Sequence, residues 1–298
     1  MKESVKYLFS VAVLFMLLPF LMTVLLSGRS AVALSRNIDL EMLIPVQVYQ
    51  EIPENAESEM IRAQAVLVRS RLFLELSKGE HVREILEKNS EYEKSHNLYP
   101  DILEECRQAA VDTEGMVLMY GGQVTEGPFF AGSSGMTRDG LEVMGKEDYS
   151  WLVSVDSSRD MDSPQYISGV MYGRDDLYRI LSECTGDTAL KEETVFEQIT
   201  VLSRDSAGYV LEIQVADTHL SGENFRKQLG LPSACFSMQE LDGNIRFLCK
   251  GSGHGLGMSQ YGANILAQEG KSFKEILEAY FPRCTVEQAI FNQAEIKL

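Results

Sequence analysis

Basic side chains are scarce. The 298 residues hold 27 Lys and Arg against 44 Asp and Glu, a net charge of −17. Nucleic-acid binding needs a basic face to neutralise phosphates, and no cluster of Lys or Arg supplies one. Histidine is scarcer still. His81, His96, His219 and His254 are scattered, and neither HExxH nor paired Cys/His metal spacing occurs. Five cysteines, at 106, 184, 235, 249 and 284, are odd in number and far apart, which argues against a disulfide framework. Cys235 and Cys249 flank an expected hairpin and could face one another; otherwise the pattern reads as buried free thiols. With eight prolines and 45% hydrophobic residues the chain is able to bury a core, so it is no disordered acidic tail. The GxSxG spacing of a serine hydrolase is missing around Ser133 and Ser134, and the glycine-rich segment 251–262 has no P-loop lysine.

What the sequence does have begins with an apolar, charge-free run at residues 7–27. At 1.5 Å rise per residue this run crosses the roughly 30 Å hydrocarbon layer. It exceeds the core of about 7 to 15 residues expected of a cleaved signal peptide. The first 36 residues carry Lys2, Lys6, Arg29 and Arg36 against Glu3, a balance of +3, which leaves −20 for the rest. Lys2 and Lys6 favour a cytoplasmic N-terminus. The expected organisation is a cytoplasmic tip (1–6), a transmembrane helix (7–27), a stalk (28–38) and an acidic domain (39–298) outside the cell membrane.

Within that domain, 40–51 reads as a strand-like segment interrupted by Pro45, and 57–76 as a helix capped by Asn55. Ile61, Ala65, Val68, Leu72 and Leu76 recur there at steps of three and four. Residues 78–98 read as loop or weak helix and 100–113 as a helix. Hairpins are expected through Gly121-Gly122, between ITVLS and YVLEIQV, and through Leu241-Asp242-Gly243. Short helices are expected near 174–184 and after Ser221, with helical segments at 258–268 and after Ser272, where Ser272 and Glu275 form a capping box. Strands and helices do not alternate regularly, so the expected fold class is α+β: mixed helices and antiparallel hairpins around a cleft.

Two segments carry candidate chemistry. Glu51 precedes Ile52-Pro53, a junction that would hold a side chain rigidly at a cleft rim, and the following helix offers Arg62, Gln64 and Arg69. The segment from Gly251 to Gly262 has five glycines in twelve residues, which permits a ligand to approach the main chain closely. It leaves His254, Ser259, Gln260 and Tyr261 as contact groups for a flat polar ligand such as a sugar ring.

These segments resemble the stage II sporulation protein D family of membrane-anchored peptidoglycan lytic transglycosylases. VYQEIPENAESEMIRAQAVLVRSR is similar to the family's catalytic segment; SGENFRKQLGL, GHGLGMSQYGA and EGKSFKEILEAYFP, in that order, are similar to its C-terminal signature. The resemblance spans about residues 40–282. It implies cleavage of the MurNAc-GlcNAc β-1,4 bond of peptide-stripped glycan during forespore engulfment, leaving 1,6-anhydroMurNAc ends. Glu51 is implied as the single catalytic acid/base. Arg69, Gln64, His254, Ser259, Gln260 and Tyr261 are implied on the substrate side. The implied partners are a cell-wall amidase and a multispanning membrane scaffold, and no cofactor is expected. Related domains also serve as amidase enhancers; a non-catalytic amidase enhancer or wall-binding module is the competing expectation. The chain departs from the pattern in two places: Ala131 stands where many relatives have histidine, and Arg71 where a tyrosine often follows the helix motif. A zinc grouping around His96 and Cys106 is not reproduced.

Overall fold

The computed structural model describes residues 40–78 and 82–289. The apolar run at 7–27 lies outside them, and so does His81. Among the described residues no helix is long and apolar enough to cross a membrane.

The segment expected as a strand is a helix, α1 (Ile44–Glu51), preceded by a 3-10 turn at Leu40–Met42. Pro45 sits in its first turn, where a missing N–H costs nothing. Ile44, Val46 and Val48 alternate like strand residues, yet all three are buried because α1 is packed on several sides. Burial overrides their β preference. The helix stops at Ile52, extended at ψ 149°, as the following Pro53 requires. Glu51 therefore ends a helix rather than a strand.

α2 (Ser58–Ser77) is the central helix. Its buried residues include Met60, Ala63, Leu67 and Leu72, and they surround the axis rather than forming one stripe. Glu57, not Asn55, takes the N-cap position, and Asn264 Oδ1 accepts the Glu57 N–H at 2.7 Å. α3 (Val82–Ser95) is a full helix where loop or weak helix was expected; Val82, Ile85 and Asn89 form its narrow buried seam. α4 (Pro100–Asp112) matches its expected position.

The hairpin β1 (Met116–Tyr120) and β2 (Gln123–Val124) turns through Gly121 and Gly122, both at positive φ. β3 (Phe129–Phe130) follows, then α5 (Gly140–Met144). β4 (Ile167–Tyr172) and α6 (Arg174–Thr185) lead into the antiparallel strands β5 (Ile199–Arg204), β6 (Val210–Val215) and β7 (Thr218–Ser221). Ser221 caps α7 (Gly222–Gln228) by accepting the Asn224 N–H. β8 (Phe236–Leu241) and β9 (Asn244–Lys250) form the next hairpin, with β4 on the far side of β9. Cys249 pairs with Phe236 rather than Cys235, and both thiols are free.

β10 (Met258–Ser259) runs parallel to β3 and leads into α8 (Gln260–Gln268). The Ser272/Glu275 capping box is present and opens α9 (Phe273–Tyr280); β11 (Thr285–Gln288) then joins the edge of β1. Mixed helices and antiparallel sheets make this an α+β fold. One apolar cluster gathers Leu177, Phe225, Phe236 and Phe247 under the β4–β9 region. Another gathers Met60, Leu67, Trp151, Met258 and Phe281 around α2.

Candidate active site

The parallel pair β3–β10 sets two loops side by side, the one after Phe130 and the glycine-rich one before Met258. Gly251, Gly253, Gly255 and Gly257 all have positive φ. Part of the close approach they permit is by the protein's own chain, while Gly251 and Ser252 also line a cavity. A Cβ on Gly257 would lie 2.0 Å from the Pro128 carbonyl oxygen, and one on Gly251 would lie 2.6 Å from that of Gly132. Gly257→Ala should therefore destabilise the protein by about 1–3 kcal/mol from backbone strain alone, with the Pro128 clash adding to it. A denaturant midpoint unchanged from wild type would show that the loop accommodates a side chain.

A cavity of about 360 Å³ opens where these loops meet α8 and the turn at 53–55. Its walls include Glu54, Asn55, Ser133, Tyr166, Gln260 and Tyr261. The size and mixed lining suit a small polar ligand. Asp160 lies behind one wall, fully hydrogen-bonded: its carboxylate accepts from the Ser133 N–H (2.7 Å), Ser157 Oγ (2.9 Å) and Ser259 Oγ (2.9 Å). Those bonds hold the two loops together from beneath.

Glu51 lies two residues before the cavity-lining Pro53 and is tied to the opposite wall by Gln260, whose Nε2 donates to the Glu51 carbonyl at 2.6 Å. Its half-buried carboxyl receives Gln64 Nε2 at 3.3 Å on one oxygen and Arg71 Nη2 at 2.6 Å on the other. Burial pushes the Glu51 pKa above the ordinary glutamate value, while Arg71 and the Gln64 amide pull against it. The net direction is upward. A carboxyl shifted this way stays protonated to higher pH than a solvated glutamate, which keeps a proton available for general acid catalysis.

The residues singled out in the sequence separate into two sets. Glu51, Gln64 and Gln260 are joined by hydrogen bonds, Gln260 also donating to Gln64 Oε1 at 3.4 Å, and of the singled-out residues Gln260 and Tyr261 line the cavity. Arg69 does not. It is fully buried, forks onto both oxygens of Glu41 at 2.7 Å, and gives its remaining donors to Thr113 Oγ1 and the carbonyls of Ala110 and Met116. Arg69 is a structural clasp between α2, the Leu40–Met42 turn and the end of α4, with no donor left for a substrate. Arg62, on the same helix, is likewise engaged, by Glu59 and Asp112.

Ser259 is fully buried and caps α8, accepting the Gly262 N–H. His254 packs against Phe130, accepts the Leu256 N–H on Nδ1, and has its carbonyl held by Arg138. Burial lowers its pKa, so the ring is held neutral as a loop brace. Arg138 is itself buried against Asp205 at 2.5 Å and lies over the Tyr209 ring. His254 and Ser259 thus shape the cleft without facing it.

Arg71 is the participant that sequence reasoning missed. It stands seven residues after Gln64, which puts both on one stripe of α2. Its departure from the usual tyrosine was the available signal. Asp160 and Asn264 gave none, because their importance arises only from contacts across the fold.

Residues 29–120 match the protein family described as stage II sporulation protein. Stage II sporulation protein D of Bacillus amyloliquefaciens is 31% identical over 267 residues, covering 85% of this chain and 75% of that protein. The chain belongs to the stage II sporulation protein D family. The corresponding protein of Bacillus subtilis (strain 168) is 28% identical over 277 residues, covering 88% of this chain and 78% of that protein. A shorter likeness, 54% over 37 residues, joins 12% of this chain to 5% of the amidase enhancer of Bacillus subtilis (strain 168). Glu51, Gln64 and Arg71 fall within the matched family region, whereas Gln260 and Tyr261 come from the C-terminal part.

Proposed function

We propose that this sporulation protein is a peptidoglycan lytic transglycosylase, with Glu51 as its acid and base. The observation that carries this reading is the half-buried Glu51 beside the cavity, biased towards its protonated form and oriented by Gln64 and Gln260. Hydrolysis of a β-1,4 glycosidic bond ordinarily takes two carboxyl groups. An intramolecular transfer takes one. Glu51 protonates the leaving O4 as the C1–O4 bond breaks; the muramoyl C6 hydroxyl then attacks C1 and gives its proton back to Glu51. The product is a 1,6-anhydroMurNAc end and no water is consumed. Tyr261 and the polar groups of the cavity walls would hold the sugar rings.

The substrate we assign is glycan stripped of its stem peptides, cut during forespore engulfment beside an amidase and a multispanning membrane scaffold. Residues 7–27 would anchor the protein in the mother-cell membrane, with the acidic domain outside. Alkaline carbonate should leave the full chain in the membrane pellet; its release into the supernatant would refute the anchor. For the chemistry, the full-length chain is incubated with peptide-free glycan strands and the ends are read by mass spectrometry. The expected result is 1,6-anhydromuramic ends. The short likeness to an amidase enhancer supports the second reading, a module that stimulates an amidase without cutting glycan. Stimulation of an amidase with no anhydro ends would favour it.

A further inference from the structure

Arg71 has two carboxylates within reach. Its Nη2 lies 2.6 Å from Glu51 Oε1, its Nε lies 3.7 Å from Glu75 Oε1 one helical turn further along α2, and Gln47 Oε1 on α1 accepts from it at 3.3 Å. A reaction in which one glutamate is first acid and then base needs a neighbour that tolerates both protonation states. A guanidinium fixed to Glu51 alone would hold it ionised and oppose the acid step. One with an alternative partner is free to follow the proton.

Resting on the reading of Glu51 as the acid/base, we propose that Arg71 is a positioning residue that alternates between two anchors. In this structure it reaches Glu51, Gln47 and Glu75 together; it pairs most closely with Glu51 while that group is a carboxylate, and shifts its weight to Glu75 and Gln47 while Glu51 carries the proton. The side chain is 30% exposed, which leaves it room to swing, and α2 and α1 carry both anchors on rigid helix faces. The other group bonded to the Glu51 carboxyl is the neutral amide of Gln64 from α2, while that of Gln260 from α8 holds the Glu51 main-chain carbonyl. Glu54 follows in the turn at the cavity wall, and Tyr49 lies two residues before Glu51 on α1. None of these is a cation. Arg71 is accordingly the positive charge that sets the balance at Glu51, and Glu75 is the competitor for it. Arg62 is held away by Glu59 and Asp112, and Arg69 by Glu41.

The arrangement predicts opposite shifts from two substitutions on one helix. Arg71→Met removes the charge that favours the Glu51 carboxylate, so the Glu51 midpoint rises by about one unit or more, the usual scale for losing an adjacent arginine. Glu75→Gln removes the competitor, so Arg71 stays on Glu51 and the midpoint falls. Arg71→Lys keeps a positive charge and recovers most of the wild-type midpoint. The experiment is a ¹³C-carboxyl NMR titration of the full-length chain in detergent, with the Glu51 signal identified as the one that Glu51→Gln removes. Thermal melts confirm that each variant is folded. Opposite displacements establish the switch. An unmoved midpoint in folded Arg71→Met, or a rise in Glu75→Gln, overturns it.

The titration needs no turnover, so it judges the Arg71 proposal even if the chain proves not to cut glycan. Where it does cut, the alkaline limb of kcat/KM follows the same midpoints, because the acid step requires protonated Glu51 and is lost as pH rises through its pKa. Active Arg71→Met whose limb coincides with that of wild type would likewise overturn the proposal. Cutting by Glu51→Gln at the wild-type rate would instead remove Glu51 as the acid, a distinct failure that the midpoints do not touch.

Discussion

Under the proposed function, Glu51→Gln is expected to lower glycan cleavage by about 10²- to 10⁴-fold, the range for removal of a positioned general acid. The substitution is nearly isosteric, and the Glu51 carbonyl, not its side chain, accepts the bond from Gln260, so the tie across the cleft survives. The Gln64 amide can still meet the new carbonyl oxygen. Arg71 loses an ionised partner, but Glu75 and Gln47 lie beside it. The folded state should therefore be close to wild type, with glycan binding retained. Counting anhydro ends per unit time at matched protein concentration, alongside a melt, separates lost chemistry from lost fold. A folded variant that cuts at the wild-type rate would disqualify Glu51.

Arg69→Ala has a large effect of another kind. Removing one partner of a buried ion pair costs about 3–5 kcal/mol, because the remaining charge is left without compensation. Glu41 would lose both Arg69 bonds while retaining the Gly115 N–H at 3.1 Å, and the carbonyls of Ala110 and Met116 would lose their donor. Against a total stability of about 5–15 kcal/mol for an ordinary domain, the loss threatens folding at physiological temperature. Arg69→Lys returns the charge but not the fork, so it recovers only part of the stability. Urea unfolding measures both, with a lower midpoint at similar slope as the expected outcome. Loss of activity in Arg69→Ala with an unchanged urea midpoint would place Arg69 on the substrate after all.

The two residues show where sequence reasoning succeeds and where it stops. Both lie in the motif-bearing first half of the domain, and the sequence alone presented each as an active-site group. What separates them is the direction each side chain takes from its helix. Glu51 ends α1 where Pro53 forces the chain to turn, a local signal that holds even though the segment is helix instead of strand. Arg69 points away from the cleft, a fact settled by how α4 crosses α2, which no local pattern encodes.

The same contrast applies to the fold. α2 was legible from its recurring apolar positions, the first hairpin from Gly121-Gly122 and α9 from its capping box. α1 was misread because Ile44, Val46 and Val48 repeat every second residue over a stretch too short to separate the two periods. α3 was undervalued because its buried seam includes a polar residue, Asn89, whose side chain accepts from Gln47 and donates to the Leu43 carbonyl. The glycine-rich loop reads from sequence as backbone open to a ligand; in the fold Gly251, Gly253 and Gly257 lie against residues 128–133 and Gly255 against Arg138 and Tyr209, contacts that no local pattern encodes.

The hydrogen bond from Gln260 to the Glu51 carbonyl joins residues 209 positions apart. A closure of that span has a large entropic cost and forms only after much of the intervening chain has ordered. The end of α1 that carries Glu51 is thus finished by a segment synthesised 209 residues later. A nascent chain that already displays Glu51, Gln64 and Arg71 still lacks the wall carrying Gln260 and Tyr261. Synthesis itself keeps the cleft incomplete until the segment carrying Gln260 and Tyr261 has emerged.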